Sequence, residues 1–268
     1  MGIVIAVGAG RFHLLAAAAA LLGALLIQIG TNFANDYFDF VKGTDTEARI
    51  GPQRATAAGL VAPATMKRAF LLTFGLAVLV GTYLVWRAGW PLVVIGLASV
   101  ACGVLYTGGP KPLGYIGIAD LFVIVFFGPV ATAGTYYVQT LEWSRSAVVA
   151  GLAPGLLATA LLTVNNLRDI EGDRKAGKRS LAVRFGARFA KAEYVFCLLG
   201  AAAVPFVLHG YFDAPAGVLA ASASCLLGLP PLRAVLSWTP GRELHGALAA
   251  TGRLLVLYAV AFSIGWLL

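Results

Sequence analysis

Charged residues and cysteines are both scarce in this 268-residue sequence. Charged residues make up 12% and hydrophobic residues 59%, whereas a soluble globular domain has about 25% charged residues. So few charges would not cover the surface of a soluble enzyme of this length, and that class is excluded. The abundance of apolar residues excludes a disordered chain. The long apolar runs predict a polytopic membrane protein whose spans are helices.

The scarce cysteines carry little chemistry. Cys102, Cys197 and Cys225 all lie in apolar runs, with neither a CxxC pair nor the spacing of metal ligands. We therefore interpret them as small buried hydrophobic residues. The net charge of +8 would suggest a nucleic-acid partner in a soluble protein. In a membrane chain the placement of the charges matters more, and no nucleic-acid partner is predicted.

Runs of about 20 apolar residues predict an all-α fold, a polytopic transmembrane helical bundle with eight spans. The expected spans are 12–34, 69–88, 90–107, 116–139, 146–165, 192–210, 215–237 and 245–268. Residues 1–10 are apolar but too short to cross a bilayer. The chain is expected to form a single membrane-embedded domain with two pseudo-equivalent halves, roughly 1–140 and 141–268.

Basic residues are unevenly distributed between the loops. Sixteen of the 20 fall in segments that the alternating spans place on one side of the bilayer. The other side has only Arg11, Arg87 and Arg145, and Arg253 lies inside the last span. The positive-inside rule predicts that the rich segments, 35–68 and 166–191 above all, face the cytoplasm of a cell membrane. Charges that only orient the chain would explain the basic residues, but not the acidic residues among them.

The first acidic cluster lies at the cytoplasmic end of the first span, within TNFANDYFDFVKGTD, residues 31–45. If the helix continues through it, Asn32, Asn35, Asp36 and Asp39 fall at i, i+3, i+4 and i+7, on one helical face. The spacing therefore predicts a stripe of oxygen ligands.

The second cluster, within NNLRDIEGDRKAGKRS, residues 165–180, repeats this pattern. Here Asn165, Asn166, Asp169 and Asp173 fall at i, i+1, i+4 and i+8, again on one face of a continuous helix. One such cluster is equally consistent with a solvated helix end. Two with matching spacing on the same side favour a site.

Stacked carboxylates repel one another in an isolated helix, so the two clusters call for a cation. Carboxylate and amide oxygens suit Mg²⁺, which typically joins a few carboxylates to substrate phosphates. The predicted ligands are Asn35, Asp36, Asp39, Asp169 and Asp173, the four aspartates also being the catalytic candidates. Basic residues lie among them, including Arg168 and Lys178, and carboxylates, Mg²⁺ and basic groups together suit a diphosphate.

Several other polar residues are substrate-binding candidates. Asp120 lies next to an apolar run, where an acid is costly, although a helix start would also favour it. Lys111 and Tyr115 belong to a Gly/Pro-rich cytoplasmic loop, and Lys111 reaches either a phosphate or the lipid headgroups. Arg49 and Arg54 follow the first cluster. They either bind the aromatic acceptor or only keep their loop solvated.

The sequence resembles the UbiA-type intramembrane aromatic prenyltransferases. The resemblance rests on two aspartate motifs, Asn35-Asp36-x-x-Asp39 and Asp169-x-x-x-Asp173, and on four segments. These are NDYFDFVKGTD (35–45), RIGPQRA (49–55), GYIGIADLFVIVFFGP (114–129) and NNLRDIEGDRKAGKRSLAVRFG (165–186). Within the family, the likeness is greatest to the members that prenylate 1,4-dihydroxy-2-naphthoate in menaquinone synthesis.

The resemblance implies an all-helical bundle around a central cavity, with Mg²⁺ and diphosphate bound between the two motifs and a lateral opening for the lipid chain. It implies transfer of a polyprenyl chain from its allylic diphosphate to 1,4-dihydroxy-2-naphthoate, with loss of carbon dioxide. Members usually have nine spans. The sequence predicts eight, with residues 1–10 in the place of the first.

Two alternative functions are open. One is the same chemistry on another aromatic acceptor, 4-hydroxybenzoate or homogentisate, which an acceptor panel would separate. The other is a membrane transporter with paired acidic half-sites. A transporter favours charges near the bilayer midplane, whereas these acidic residues lie at the cytoplasmic ends of their spans.

Overall fold

A computed structural model describes residues 1–44 and 54–268, and this part of the chain contains helices and turns but no strand. The expectation of an all-α fold is therefore confirmed. The α-helices are α1 (Gly2–Gly8), α2 (Leu14–Val41), α3 (Pro63–Ala88), α4 (Trp90–Leu105), α5 (Leu113–Ile116), α6 (Ala119–Val125), α7 (Ala131–Thr140), α8 (Arg145–Arg168), α9 (Ile170–Lys175), α10 (Leu181–Tyr211), α11 (Leu219–Ser224), α12 (Leu229–Leu236) and α13 (His245–Leu267). A π-helical turn (Phe126–Val130) joins α6 to α7, and 3₁₀ turns (Ala216–Val218 and Cys225–Gly228) flank α11.

Seven helical segments of the described chain are long and apolar enough to cross a membrane. They are Leu14–Val41, Pro63–Ala88, Ala119–Thr140, Arg145–Arg168, Leu181–Tyr211, Ala216–Leu236 and His245–Leu267. The one predicted span that is not among these seven, 90–107, corresponds to the 16-residue helix α4, which is shorter than the others. It ends early because Gly108, Gly109 and Pro110 follow, and Gly109 has a φ of 77°, a conformation that stops a helix.

Local sequence explains where the membrane helices begin. Pro63 starts α3 after an extended Ala62, since proline suits the first turn of a helix, where its missing N–H is not needed. Gly89, with φ 77°, separates α3 from α4. The Ser144 hydroxyl accepts a hydrogen bond of 3.2 Å from Ala147 N and so caps the start of α8.

The chain folds as two compact units. The first unit contains Met1–His13, Asp120–Ile170 and Leu181–Leu268, and the second contains Leu14–Ala119 and Glu171–Ser180. The second unit thus holds the first aspartate motif together with residues 171–180 of the second. The equivalence of halves 1–140 and 141–268 stays a prediction.

In the first unit, small residues allow close packing of backbone on backbone. A Cβ added at Gly128 would lie 2.6 Å from the carbonyl oxygen of Gly151, and one added at Gly151 would lie 2.7 Å from the Cα atom of Pro129. Membrane helices pack at such small residues because lipid supplies little hydrophobic force between them. Beside this contact, α8 packs along α10.

In the second unit, α2 packs along α3. Ala34 is fully buried against Phe70 and Phe74, and the ring of Phe74 lies 3.0 Å from the position of a Cβ at Gly30. The other face of α3 is exposed, for instance at Leu79 and Trp86, as expected of a helix that faces lipid. This packing fixes the helix that carries the first motif.

Candidate functional site

Asp39 is the centre of a polar cluster in the second unit. Helix α2 continues through the first motif to Val41, as the spacing predicted, and the Asp39 side chain is only 2% exposed. Its Oδ1 accepts a hydrogen bond of 3.0 Å from the Tyr115 hydroxyl. Its Oδ2 lies 3.5 Å from Lys178 Nζ and 3.9 Å from a guanidinium nitrogen of Arg54. Three segments that are distant in sequence therefore meet at one carboxylate.

Two lysines of the same cluster lie over the aromatic ring of Tyr115. Lys42 Nζ lies 4.9 Å and Lys178 Nζ 5.2 Å from its centroid, within the range of cation–π attraction. Lys42 also donates to the carbonyl oxygens of Thr107 and Gly109. Its hydrogen bonds go to neutral carbonyl oxygens, so Lys42 adds a positive charge to the cluster without a direct hydrogen bond to Asp39.

The electrostatic balance of this cluster is positive. Burial lowers the pKa of Lys42, the charge of Lys178 lowers it further, and the charge of Asp39 opposes both. Lys42, Arg54 and Lys178 carry three positive charges around one buried carboxylate. Such a set of donors is suited to an anion with several negative oxygens, such as a diphosphate.

The other two members of the first motif have structural partners. Asn35 Oδ1 accepts a hydrogen bond of 2.9 Å from the Thr107 hydroxyl. The Asp36 carboxylate accepts backbone hydrogen bonds from Ala55 N (3.0 Å) and Thr56 N (3.1 Å). Both side chains are buried, and both tie α2 to neighbouring segments.

The second motif does not form the continuous helical face that its spacing predicted. Helix α8 ends at Arg168, and Asp169 has φ −92° and ψ 5°, so the helix breaks there before α9 begins at Ile170. The buried Arg168 guanidinium binds the Asp169 carboxylate with two contacts of 2.7 Å. This pairing with its neighbour accompanies the non-helical backbone at Asp169, and the expectation of one face through Asp173 was wrong.

Residues 171–180 bring the second motif to the first cluster within the second unit. The backbone N of Lys178 donates to the Asp173 carbonyl oxygen at 2.8 Å, which closes a turn, and the backbone N of Arg179 donates to the Tyr115 carbonyl oxygen at 3.1 Å. These bonds direct the Lys178 side chain to Asp39. Asp169 belongs to the first unit, and its role as a ligand stays a prediction.

The remaining predicted residues lie outside this cluster or beyond the described chain. Asn32 is exposed and donates to the Gln28 carbonyl oxygen at 3.0 Å, so it does not share the buried face of Asp39. Asn165 donates to the Leu161 carbonyl oxygen at 3.4 Å, Asn166 is half-buried and Lys111 is exposed. Arg49 falls outside the described residues.

Sequence reasoning missed one acidic residue, Glu193 of α10. In the first unit, Asp120 is 4% exposed and both of its carboxylate oxygens are buried without a hydrogen-bond partner. In the same unit, the Thr163 hydroxyl donates a hydrogen bond of 3.2 Å to Glu193 Oε2. Acidic residues inside membrane helices are expensive, and Glu193 is the one acidic residue of α10, at the start of a long apolar run, which was the signal for it.

The cluster around Asp39 also fits Mg²⁺, provided that the ion shares a substrate. Within residues 1–44 and 54–268, no group of three or more His, Cys, Asp or Glu side chains could hold a metal. Mg²⁺ does not require such a group, because it keeps several waters and usually binds one or two carboxylates plus substrate phosphates. Three cations around one buried carboxylate repel a further cation, so the cluster fits Mg²⁺ only when a diphosphate brings its negative charge with the ion.

Comparisons with known proteins agree with this architecture. Residues 1–254 match the UbiA prenyltransferase family. Proteins called 1,4-dihydroxy-2-naphthoate octaprenyltransferase are similar to the chain. The one from Haemophilus influenzae is 37% identical, over 92% of this chain and 82% of the relative. The one from Mycobacterium tuberculosis is 38% identical, over 90% of this chain and 82% of the relative.

Solved structures share the fold at low sequence identity. A UbiA homolog from Archaeoglobus fulgidus bound to GPP and Mg²⁺ superposes with a TM-score of 0.70 and 14% identity, covering 100% of this chain and 94% of that one. The same homolog bound to DMAPP and Mg²⁺ gives a TM-score of 0.66 and 16% identity, with the same coverage. The family match over residues 1–254 and the relatives above 30% identity lead to one conclusion: the chain belongs to the UbiA prenyltransferase family.

Proposed function

We propose that this chain is a Mg²⁺-dependent membrane prenyltransferase that joins a polyprenyl group to 1,4-dihydroxy-2-naphthoate, a step of menaquinone synthesis. The names of the relatives from Haemophilus influenzae, Escherichia coli and Mycobacterium tuberculosis support the acceptor. The observation that carries the proposal is the buried Asp39 carboxylate with Lys178, Arg54 and Lys42 around it. This arrangement suits a diphosphate, the leaving group that all such prenyl donors share.

The cationic side chains bind and orient the diphosphate. Arg54 and Lys178 present N–H donors next to Asp39, and Lys42 is placed by the Tyr115 ring and by carbonyl oxygens. As the allylic C–O bond breaks, its electron pair leaves with the diphosphate, and these fixed donors stabilise the growing negative charge. Asp39, with Asp173 of the same unit, would hold Mg²⁺, which supplies further charge neutralisation on the diphosphate.

The carbon chemistry needs no base from the protein. The allylic carbon bonds to the ring carbon that carries the carboxylate. That carboxylate then leaves as carbon dioxide, and its electron pair restores the aromatic ring. Apolar membrane helices keep water from the allylic cation, which would otherwise form an alcohol. Asp120, both of whose carboxylate oxygens are buried, stays a candidate for substrate binding and takes no proton in this scheme.

The seven apolar helices and the family make this a multi-pass membrane protein. We place the Asp39 cluster at the cytoplasmic face of the cell membrane. The distribution of basic residues supports this orientation, since segments 35–68 and 166–191, which both contribute to the cluster, are rich in lysine and arginine.

The test is an acceptor panel with purified protein in vesicles and a labelled polyprenyl diphosphate. We expect Mg²⁺-dependent product from 1,4-dihydroxy-2-naphthoate and much less from 4-hydroxybenzoate or homogentisate. Asp39→Asn and Asp173→Asn should each nearly abolish turnover, whereas the matched change Asp213→Asn, in a turn of the first unit, should not. Product from 4-hydroxybenzoate alone would refute the acceptor, and no prenyl transfer to any acceptor would refute the function.

A further inference from the structure

The Asp36 carboxylate is fully engaged by backbone amides of a segment distant in sequence. Its Oδ2 accepts from Ala55 N at 3.0 Å and its Oδ1 from Thr56 N at 3.1 Å. The side chain is 7% exposed and Thr56 is 3% exposed, so these bonds are shielded from water. Asp36 was expected from the motif to be a metal ligand, and this geometry gives it a different task.

The segment that Asp36 holds is a helix-like turn that starts at Arg54. Ala58 N donates to the Arg54 carbonyl oxygen at 2.9 Å, and Leu60 N donates to the Ala55 carbonyl oxygen at 3.0 Å. The first N–H groups of such a turn have no partner within it. They are usually satisfied by an Asp, Asn, Ser or Thr side chain at the start of the turn. Arg54 has no acceptor to offer, and Asp36 supplies both acceptors from α2.

The anchored turn begins with a residue of the cationic cluster. Arg54 directly precedes the two anchored amides, and its guanidinium lies 3.9 Å from Asp39 Oδ2. Asp36 and Asp39 are about one turn apart on α2, so the same helix fixes both ends of this arrangement. The two amide bonds hold the start of the turn against α2 through its backbone, in addition to the ion pair of the Arg54 side chain with Asp39.

We infer that Asp36 is a positioning residue, which anchors the amides of Ala55 and Thr56 and thereby holds Arg54 at Asp39, rather than a Mg²⁺ ligand. The inference rests on the proposed function only where activity is the readout. The two aspartates of the first motif then have different roles. Asp39 contacts the diphosphate and Mg²⁺, and Asp36 holds the turn that places Arg54 next to them.

The experiment compares Asp36→Asn with Asp39→Asn, the same chemical change about one helical turn away. Asparagine keeps one acceptor oxygen but turns an N–H group toward a backbone N–H, so the anchor is lost with little change in volume. Amide exchange of a peptide covering residues 54–62 should rise about tenfold in Asp36→Asn. In Asp39→Asn, the exchange rate of the same peptide should equal that of the unchanged protein. Unchanged exchange in Asp36→Asn would overturn the inference, whether or not the protein transfers prenyl groups.

Kinetics then separates anchoring from ligation. Asp36→Asn should lower kcat/KM about tenfold while leaving the half-saturating Mg²⁺ concentration unchanged. Added to Arg54→Gln, it should lower kcat/KM by less than about twofold more, because coupled residues are not additive. A large rise in the Mg²⁺ requirement, or losses that multiply in the double variant, would overturn the inference. If the unchanged protein shows no prenyl transfer, the proposed function fails, and amide exchange still decides the anchor.

Discussion

Replacing Tyr115 by phenylalanine tests what the hydroxyl group of this residue contributes to the cationic cluster. The Tyr115 hydroxyl lies 3.0 Å from Asp39 Oδ1 and 3.0 Å from the Thr44 hydroxyl. Its ring lies below Lys42 and Lys178. Phenylalanine keeps the ring, and therefore both cation–π contacts, and removes the hydroxyl group that contacts Asp39 and Thr44.

A hydrogen bond to a charged group contributes about 1.5–3 kcal/mol. If the bond holds Asp39 in its working orientation during turnover, its loss should lower kcat/KM by about 10- to 150-fold. Tyr115→Leu also removes two cation–π contacts worth about 0.5–1 kcal/mol each when exposed. The kcat/KM of Tyr115→Leu should therefore be well below that of Tyr115→Phe.

The assay is steady-state prenyl transfer in vesicles, with each substrate varied in turn. Tyr211→Phe is the matched control, because the Tyr211 side chain is 84% exposed. It should behave as the unchanged protein. A Tyr115→Phe variant with unchanged kcat/KM would refute the role of this bond, as would an effect confined to the KM of the aromatic acceptor.

Three further predictions concern charge, orientation and packing. Because partial burial lowers the pKa of Lys42, its positive charge is lost at a lower pH than that of an ordinary lysine. The KM for prenyl diphosphate should therefore rise as the pH increases through this pKa, and Lys42→Arg should abolish that rise; an identical pH profile in both proteins would contradict it. In a variant without native cysteines, an impermeant thiol reagent added to intact cells should label Asp213→Cys but not Lys175→Cys, and labelling at position 175 would reverse the orientation. Gly151→Ala should destabilise the protein by about 1–3 kcal/mol through overpacking, seen as a lower Tm, whereas Gly75→Ala, with open space at its Cβ, should not; equal Tm values would contradict the packing argument.

The sequence was most informative where structure is local. Asn35, Asp36 and Asp39 have helical spacing, and α2 indeed continues through them, because it contains no proline and its glycines are isolated, which a helix tolerates. The same rule was wrong at the second motif. Spacing alone does not reveal that Asp169 leaves the helical conformation and pairs with Arg168.

Long-range partners were beyond the reach of the sequence. The amides bound by Asp36 come 19 and 20 residues later in the chain, and a backbone N–H carries no signature in a sequence. Thr107 bonds Asn35 across 72 residues. Lys178 was predicted for the site from its motif, but its contact with Asp39 spans 139 residues. Such contacts depend on the packing of helices, which periodicity does not specify.

The short helix α4 links the cluster to the thickness of the bilayer. Its 16 residues extend about 24 Å at 1.5 Å per residue, less than the roughly 30 Å of a typical hydrocarbon core. The carbonyl groups just beyond its end, at Thr107 and Gly109, are the ones that bind the Lys42 ammonium. A helix shorter than the hydrocarbon core is accommodated by local thinning of the lipid. In a thicker membrane the mismatch acts on both ends of such a helix, and one end of α4 leads into the carbonyl groups that hold Lys42. We therefore expect the acyl-chain length of the surrounding lipid to affect how well this cation is placed.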